Sequence, residues 1–167
     1  MRRRRDEHEG HHRDARDALQ RACRRRAEFR GVYAERGDEG LLRSLDKLSA
    51  TAASSPTATG SSIAAHVDHV RYGLSLMNRW SEGQNPFTDA DWSASWKKTA
   101  VSDDEWRKLR TDLRAEATRW LDVLRTPREV REVELNGIIG SIAHIGYHLG
   151  AVRQINSSLR GPTEGNT

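Results

Sequence analysis

The sequence predicts an all-α protein, an antiparallel four-helix bundle with a long connection between its second and third helices. Apolar residues recur at intervals of three and four in each strongly periodic segment, which is the spacing of one helix face. Prolines separate those segments, at Pro56, Pro86, Pro127 and Pro162, where they interrupt helical hydrogen bonding. Because the 167 residues show neither an internal repeat nor an alternating strand and helix pattern, one domain is expected.

The first two helices are predicted on either side of a loop rich in serine, threonine and alanine. The first begins near Asp14 and passes through Leu19 and Phe29, and LLRSLDKLSA adds further turns after a glycine-containing break at residues 36–40. The second spans residues 62–80, with Ser61 or Ser62 as its N-cap. Its apolar stripe consists of Ile63, Val67, Val70, Leu74 and Met77.

The last two helices follow a connection over residues 81–100 that contains Trp92 and Trp96. Ser102 and Glu105 form a capping-box pattern that opens the third helix. Residues 126–135 are expected to be extended, and Asn136 is expected to start the fourth helix. The inner face of the third helix is predicted to contain Trp106, Leu109, Leu113, Ala117, Trp120 and Leu124.

The fourth predicted helix has two unlike faces. One is bulky and apolar, with Ile138, Ile142, Ile145, Leu149 and Val152, and the other combines small residues with two histidines, in Gly137, Ser141, His144, His148 and Ala151. No charged residue occurs from Leu135 to Val152, so the histidine face does not have the composition of a solvated surface. The small residues leave room for a site inside the bundle.

Charge divides the chain into a basic leader over residues 1–12, a bundle over residues 13–160 and a flexible tail over residues 161–167. The first 30 residues contain eleven arginines against six acidic residues, whereas the rest is close to neutral. A nucleic-acid-binding domain needs its positive charge on a folded face, so nucleic acid is not an expected partner. The leader is expected to be disordered and dispensable.

Neither a membrane span nor export is expected. The charge-free run from Leu135 to Val152 contains two histidines and four glycines, which is typical of a buried helix in a soluble protein. No apolar segment follows the arginines at the N-terminus. The lone Cys23 excludes an intrachain disulfide. A cytoplasmic protein is predicted.

The spacing of the histidines predicts a metal site. His144 and His148 lie four residues apart, so their imidazoles project from one face of a helix. At about 100° per residue, His66 lies roughly 60° from the centre of the second helix's apolar stripe and His69 roughly 120°. We therefore expect His66, His144 and His148 to bind one divalent cation and His69 to lie at the rim or to support a ligand, although a small helix rotation would exchange His66 and His69. The alternative is a set of buried histidines that only hydrogen-bond one another.

Three segments resemble the DinB-like superfamily, which contains the damage-inducible and YfiT-type metal-binding four-helix bundles. These segments are SIAAHVDHVRYGLSLMNRW, DWSASW and AHIGYHLGAVRQI, and the resemblance covers residues 38–160. It implies a divalent metal, zinc or nickel, held by His66, His144 and His148. It also implies a homodimer. The charged first helix departs from the usual pattern of the family.

The resemblance also implies an activity, because relatives include thiol S-transferases that use bacillithiol or mycothiol. We expect a metal-dependent transferase that joins a metal-bound low-molecular-weight thiol to an electrophilic small molecule. A non-catalytic metal-binding or ligand-binding stress protein is the alternative, and a metal-dependent hydrolase is a further one. An enzyme should keep an open coordination position beside a pocket, whereas a structural site should have a fourth protein ligand. Trp92 and Trp96 are candidates to line that pocket.

Overall fold

The computed structural model describes residues 40–58 and 60–159, and within these ranges every regular element is helical. The long helices are α3, Ile63–Ser81, α4, Asp103–Arg125, and α5, Glu132–Ile155. The short ones are α1, Gly40–Asp46, α2, Ala50–Ser54, and two 3-10 helices, Ala94–Trp96 and Ser157–Leu159. This confirms the all-α class for the described part of the chain.

The chain divides into two units, Met1–Asp38 and Glu39–Thr167, and the described residues belong to the second. The first predicted helix up to residue 39, the leader over residues 1–12, Cys23 and the tail over residues 161–167 lie outside the described residues, whereas the further turns predicted in LLRSLDKLSA are described and contain most of α1. The four-helix count and the antiparallel topology therefore stay predictions. None of the described helices combines the length and the apolar character needed to cross a membrane.

Helix α3 is the central element, since it packs against α4, α5 and the first 3-10 helix. It begins as predicted at the N-cap Ser62, whose hydroxyl accepts a hydrogen bond from the backbone N–H of Ala65. The same hydroxyl donates to the carbonyl of Thr99 at 2.6 Å, which ties the long connection to the start of the helix. All five residues of the predicted apolar stripe are buried, namely Ile63, Val67, Val70, Leu74 and Met77.

Helix α4 begins with the predicted capping box between Ser102 and Glu105. Trp106 and Trp120 are buried, and each indole N–H has a partner. Trp106 donates to the carbonyl of Leu48 at 2.8 Å, and Trp120 donates to the hydroxyl of Ser141 at 3.0 Å. These two bonds link α4 to the segment after α1 and to α5.

Helix α5 starts at Glu132, four residues before the predicted start at Asn136. The Glu134 carboxylate accepts the backbone N–H of Arg131 at 2.9 Å, a bond that caps the first turn. The prediction that residues 126–135 are extended is therefore wrong for the last four. Of the predicted bulky face, Val152 is buried but Ile142 is 57% exposed.

The connection between α3 and α4 folds back over α3. The hydroxyl of Tyr72 accepts the backbone N–H of Asp91 at 3.0 Å, and the hydroxyl of Ser54 accepts that of Val101 at 3.0 Å. Asp91 also accepts the N–H of Ala94, the first residue of the 3-10 helix, at 2.9 Å. Trp92, Ser95 and Trp96 are thereby placed over the histidines of α3.

Candidate metal centre

Four histidines from two helices meet under the long connection. Helix α3 contributes His66 and His69, which are three positions apart along the helix, and α5 contributes His144 and His148. The ring centroids of His69 and His144 are 5.0 Å apart, as are those of His69 and His148. The structure therefore brings the three predicted ligands together and adds His69 to them.

His148 lies at the centre of the cluster and uses both ring nitrogens. Its Nε2 is 3.0 Å from Nε2 of His144, and its Nδ1 is 2.9 Å from Nδ1 of His66. Two nitrogens that bind one tetrahedral zinc at about 2.0–2.1 Å are about 3.3 Å apart. The Nε2 pair of His144 and His148 thus has nearly the separation of two ligands on one ion.

His66 lies against the opposite edge of the His148 ring. Its Nδ1 contacts Nδ1 of His148, whereas Nε2 of His148 faces His144. Ring atoms that could act as ligands lie within 4.8 Å of one another in the set of His69, His144 and His148. This set shares two members with the predicted one and contains His69 in the place of His66.

The hydrogen bonds around Ser95 determine the tautomer of His69. The Ser95 hydroxyl donates its proton to the carbonyl of Trp92 at 2.6 Å, so it can only accept from Nδ1 of His69, which is 2.7 Å away. Nδ1 of His69 therefore carries the ring proton, and Nε2 keeps a lone pair. In protein metal sites, the second ring nitrogen of a histidine ligand usually donates a hydrogen bond to a fixed acceptor.

His69 is buried as deeply as His66, each with 7% of its surface exposed. The helical wheel had predicted a rim position for His69, because it considers packing between helices alone. The difference comes from the connection between α3 and α4. The Trp96 ring stacks on His69 with 4.3 Å between ring centroids and meets His66 edge-on with 5.0 Å between centroids. A segment outside the long helices thus encloses the cluster.

All four histidines have a pKa below the usual 6.5 of imidazole. Burial lowers the pKa of His66 and His144. For His69, burial followed by repulsion from His144 and His66 lowers the pKa to about 4. For His148, burial followed by repulsion from His144, His66 and His69 lowers it to about 3. The imidazoles are therefore neutral near pH 7, which is the protonation state that binds metals.

An apolar cavity with a volume of about 320 Å³ opens beside His144. Trp92 lines it, as expected from the sequence, while Trp96 covers the histidines instead. Gly73 allows the His144 ring to lie close to α3, since a methyl group there would be 3.3 Å from Cε1 of that ring. The lining residues are Gly73, Leu74, Met77, Phe87, Trp92, Gly137, Gly140, Ser141, His144 and Ile145.

Ser95 makes a contact in the candidate site that sequence reasoning missed. It is buried and lies in the DWSASW segment. That segment is one of the three that resemble the DinB-like superfamily, but no spacing in the sequence relates Ser95 to a histidine. Among possible acid or base groups near the cluster, Asp68 pairs with Arg71 at 2.8 Å, and Tyr147 is 67% exposed. Comparison of the chain with protein-family models, curated proteins and solved structures found no match.

Proposed function

We propose that the chain is a DinB-like metal-dependent enzyme, and that His69, His144 and His148 bind one divalent cation, zinc or nickel. The observation that carries the proposal is the convergence of three neutral imidazoles, two of them with Nε2 atoms 3.0 Å apart. Imidazole nitrogen suits zinc and nickel. A bound cation would supply the positive charge that lowers the pKa of a thiol or a water molecule and polarises an electrophile.

His66 acts in this proposal as a positioning residue. The proton on Nδ1 of His148 is donated to Nδ1 of His66, so that Nε2 of His148 keeps its lone pair for the metal. Ser95 does the same for His69. Each of these two ligands then has one ring nitrogen for the metal and one for a partner that fixes the ring.

The open coordination position favours an enzyme over a purely structural site. Three protein ligands leave a tetrahedral ion one ligand short. His66 is not a fourth ligand in this arrangement, because it contacts the edge of His148 that faces away from His144. His144 borders a cavity, which would give a small molecule a place beside a bound cation.

The activity that we propose is the transfer of a low-molecular-weight thiol to an electrophilic small molecule, with the thiol occupying the open position. Its support is the resemblance in sequence together with the three-histidine arrangement. A metal-dependent hydrolase would use the same position for water, and a stress protein that binds metal or a ligand without catalysis would use it for neither.

Cobalt substitution tests the proposal. Cobalt(II) should bind with one ion per chain, and a small thiol such as cysteine or mercaptoethanol should then produce a thiolate charge-transfer band. A spectrum that changes with small anions but not with thiols would favour the hydrolase. A cobalt spectrum that responds to neither would identify a closed site and contradict the enzymatic proposal.

We also propose that the protein is a cytoplasmic homodimer. The dimer is supported by apolar side chains on α5 that are 49–57% exposed, Val133, Leu135, Ile139 and Ile142. Light scattering after size-exclusion chromatography should give twice the mass of the 18.9 kDa chain. Replacement of Ile139 and Ile142 by glutamate should shift that mass toward one chain.

A further inference from the structure

We infer that the cavity beside His144 binds the uncharged, apolar part of a small substrate, for example an aromatic ring system, and so selects an apolar electrophile. That the bound molecule is a substrate rests on the proposed function, but the binding itself depends on the cavity alone. The described lining contains no Asp, Glu, Lys or Arg. A charged group inside it would lose its hydration without gaining a partner.

The hydroxyl of Ser141 in the lining is already engaged. Ser141 donates its hydroxyl proton to the carbonyl of Ile138 at 2.8 Å and accepts the indole N–H of Trp120 at 3.0 Å. His144 is the one titratable group, and its Nε2 faces His148. The rest of the surface consists of aromatic and aliphatic side chains and glycines, so binding gains its free energy from apolar burial.

The volume sets the size of the group that fits. An apolar protein cavity of about 150 Å³ accommodates benzene, and this cavity measures about 320 Å³. Two fused or linked aromatic rings match that space. The position of His144 in the wall would bring one end of such a group close to a ligand of the proposed metal.

A glycine in the wall provides a way to fill the cavity. Gly140 lines it, and a Cβ atom added there would meet no atom within 4 Å. Gly146 lies on the same helix with equally open surroundings but does not line the cavity. The pair Gly140→Phe and Gly146→Phe therefore introduces the same side chain inside and outside the cavity.

The experiment measures fluorescence of N-phenyl-1-naphthylamine, an uncharged two-ring probe, on titration with the full-length protein and both variants. The wild-type protein and Gly146→Phe should enhance the emission with similar affinity. Gly140→Phe should weaken binding by about tenfold or more, because the new ring occupies the space of the probe. The sulfonated analogue 1-anilinonaphthalene-8-sulfonate should bind the wild-type protein about tenfold more weakly, since its charge lacks a partner in the cavity.

Equal loss in the two phenylalanine variants, equal binding of the two probes, or no binding to the wild-type protein would overturn the inference. Circular dichroism shows whether each variant is folded, and the graded pair Gly140→Ala and Gly140→Leu repeats the test with smaller side chains. Metal content is measured on the same samples. Metal binding without probe binding would contradict the cavity inference alone, whereas probe binding without metal would contradict the proposed metal centre alone.

Discussion

The proposed metal centre depends most on His69, because the lone pair on its Nε2 follows from two hydrogen bonds around Ser95. The hydroxyl of Ser95 has one proton, and the carbonyl of Trp92 takes it. Nδ1 of His69 must then be the donor in the 2.7 Å contact with Ser95. A serine in a surface connection thereby determines which nitrogen of a buried histidine faces the proposed metal.

Replacement of Ser95 by alanine should weaken metal binding without unfolding the protein. The variant leaves Nδ1 of His69 without its acceptor, and loss of such a partner costs a metal site about 10–100-fold in affinity. Calorimetric titration with zinc gives the affinity, and nitrogen-15 NMR of the histidine rings reports the tautomer of His69. Ser93→Ala serves as the control, since the Ser93 hydroxyl bonds the exposed Asp91. Equal affinities in the two variants would contradict the role of Ser95.

The stability of the metal-free protein should fall on acidification below pH 6.5. The native pKa of His69 is about 4 and that of His148 about 3, whereas both are close to 6.5 in the unfolded chain. From pH 6.5 down to those values the unfolded chain binds protons that the native state does not, so stability decreases as pH decreases. Above pH 7 these groups contribute no slope, because both states are neutral.

Urea denaturation in the presence of a chelator, measured between pH 4.5 and pH 8, checks this expectation. Each histidine that protonates only in the unfolded chain contributes up to about 1.4 kcal/mol per pH unit. His148→Gln should show a shallower dependence than the wild-type protein. An identical dependence in the variant would mean that His148 is not held neutral by the fold.

At the scale of the helix, two glycines of α5 should respond in opposite ways to alanine. Gly146 has open surroundings, so Gly146→Ala should stabilise the protein by about 1 kcal/mol through helix propensity. At Gly137 a methyl group would lie 2.7 Å from Cζ3 of Trp80, and overpacking costs about 1–3 kcal/mol. Gly137→Ala should therefore be the less stable variant in thermal unfolding. Equal stabilisation by both would show that Trp80 moves aside freely.

The sequence predicted the described helices well where local signals were strong. The caps at Ser62 and Ser102 and the apolar spacing in α3 determine where α3 and α4 begin, and both were confirmed. The start of α5 was missed because the bond between Glu134 and the N–H of Arg131 begins the helix without a serine or threonine cap. No amphipathic period indicates how the 81–100 connection folds, and so the burial of His69 could not be anticipated.

The residues of the candidate site were predictable only where spacing along one helix indicated them. The four-residue spacing of His144 and His148 on one helix gave two members of the cluster directly. The choice between His66 and His69 depends on the rotation of α3 and on what covers it, which a helical wheel does not contain. Ser95 is close to His69 only through the tertiary fold, since 26 residues separate them along the chain.

For the whole molecule, the division of the chain predicts that residues 1–12 are dispensable. The helical patterns begin after them, and their composition is dominated by arginine. A chain that starts at Arg13 should keep the far-ultraviolet circular dichroism spectrum and the metal content of the full protein. Loss of soluble folded protein on this deletion would make the leader a part of the domain.

The most direct test of the metal centre is the zinc affinity of four single variants, His66→Ala, His69→Ala, His144→Ala and His148→Ala, each checked for folding by circular dichroism. Removal of a ligand should lower the affinity by more than about 100-fold for His69, His144 and His148, whereas His66→Ala should lose about 10–100-fold as a positioning residue. If His66→Ala lost binding as completely as His144→Ala while His69→Ala kept it, the third ligand would be His66, and neither His69 nor Ser95 would have the proposed role.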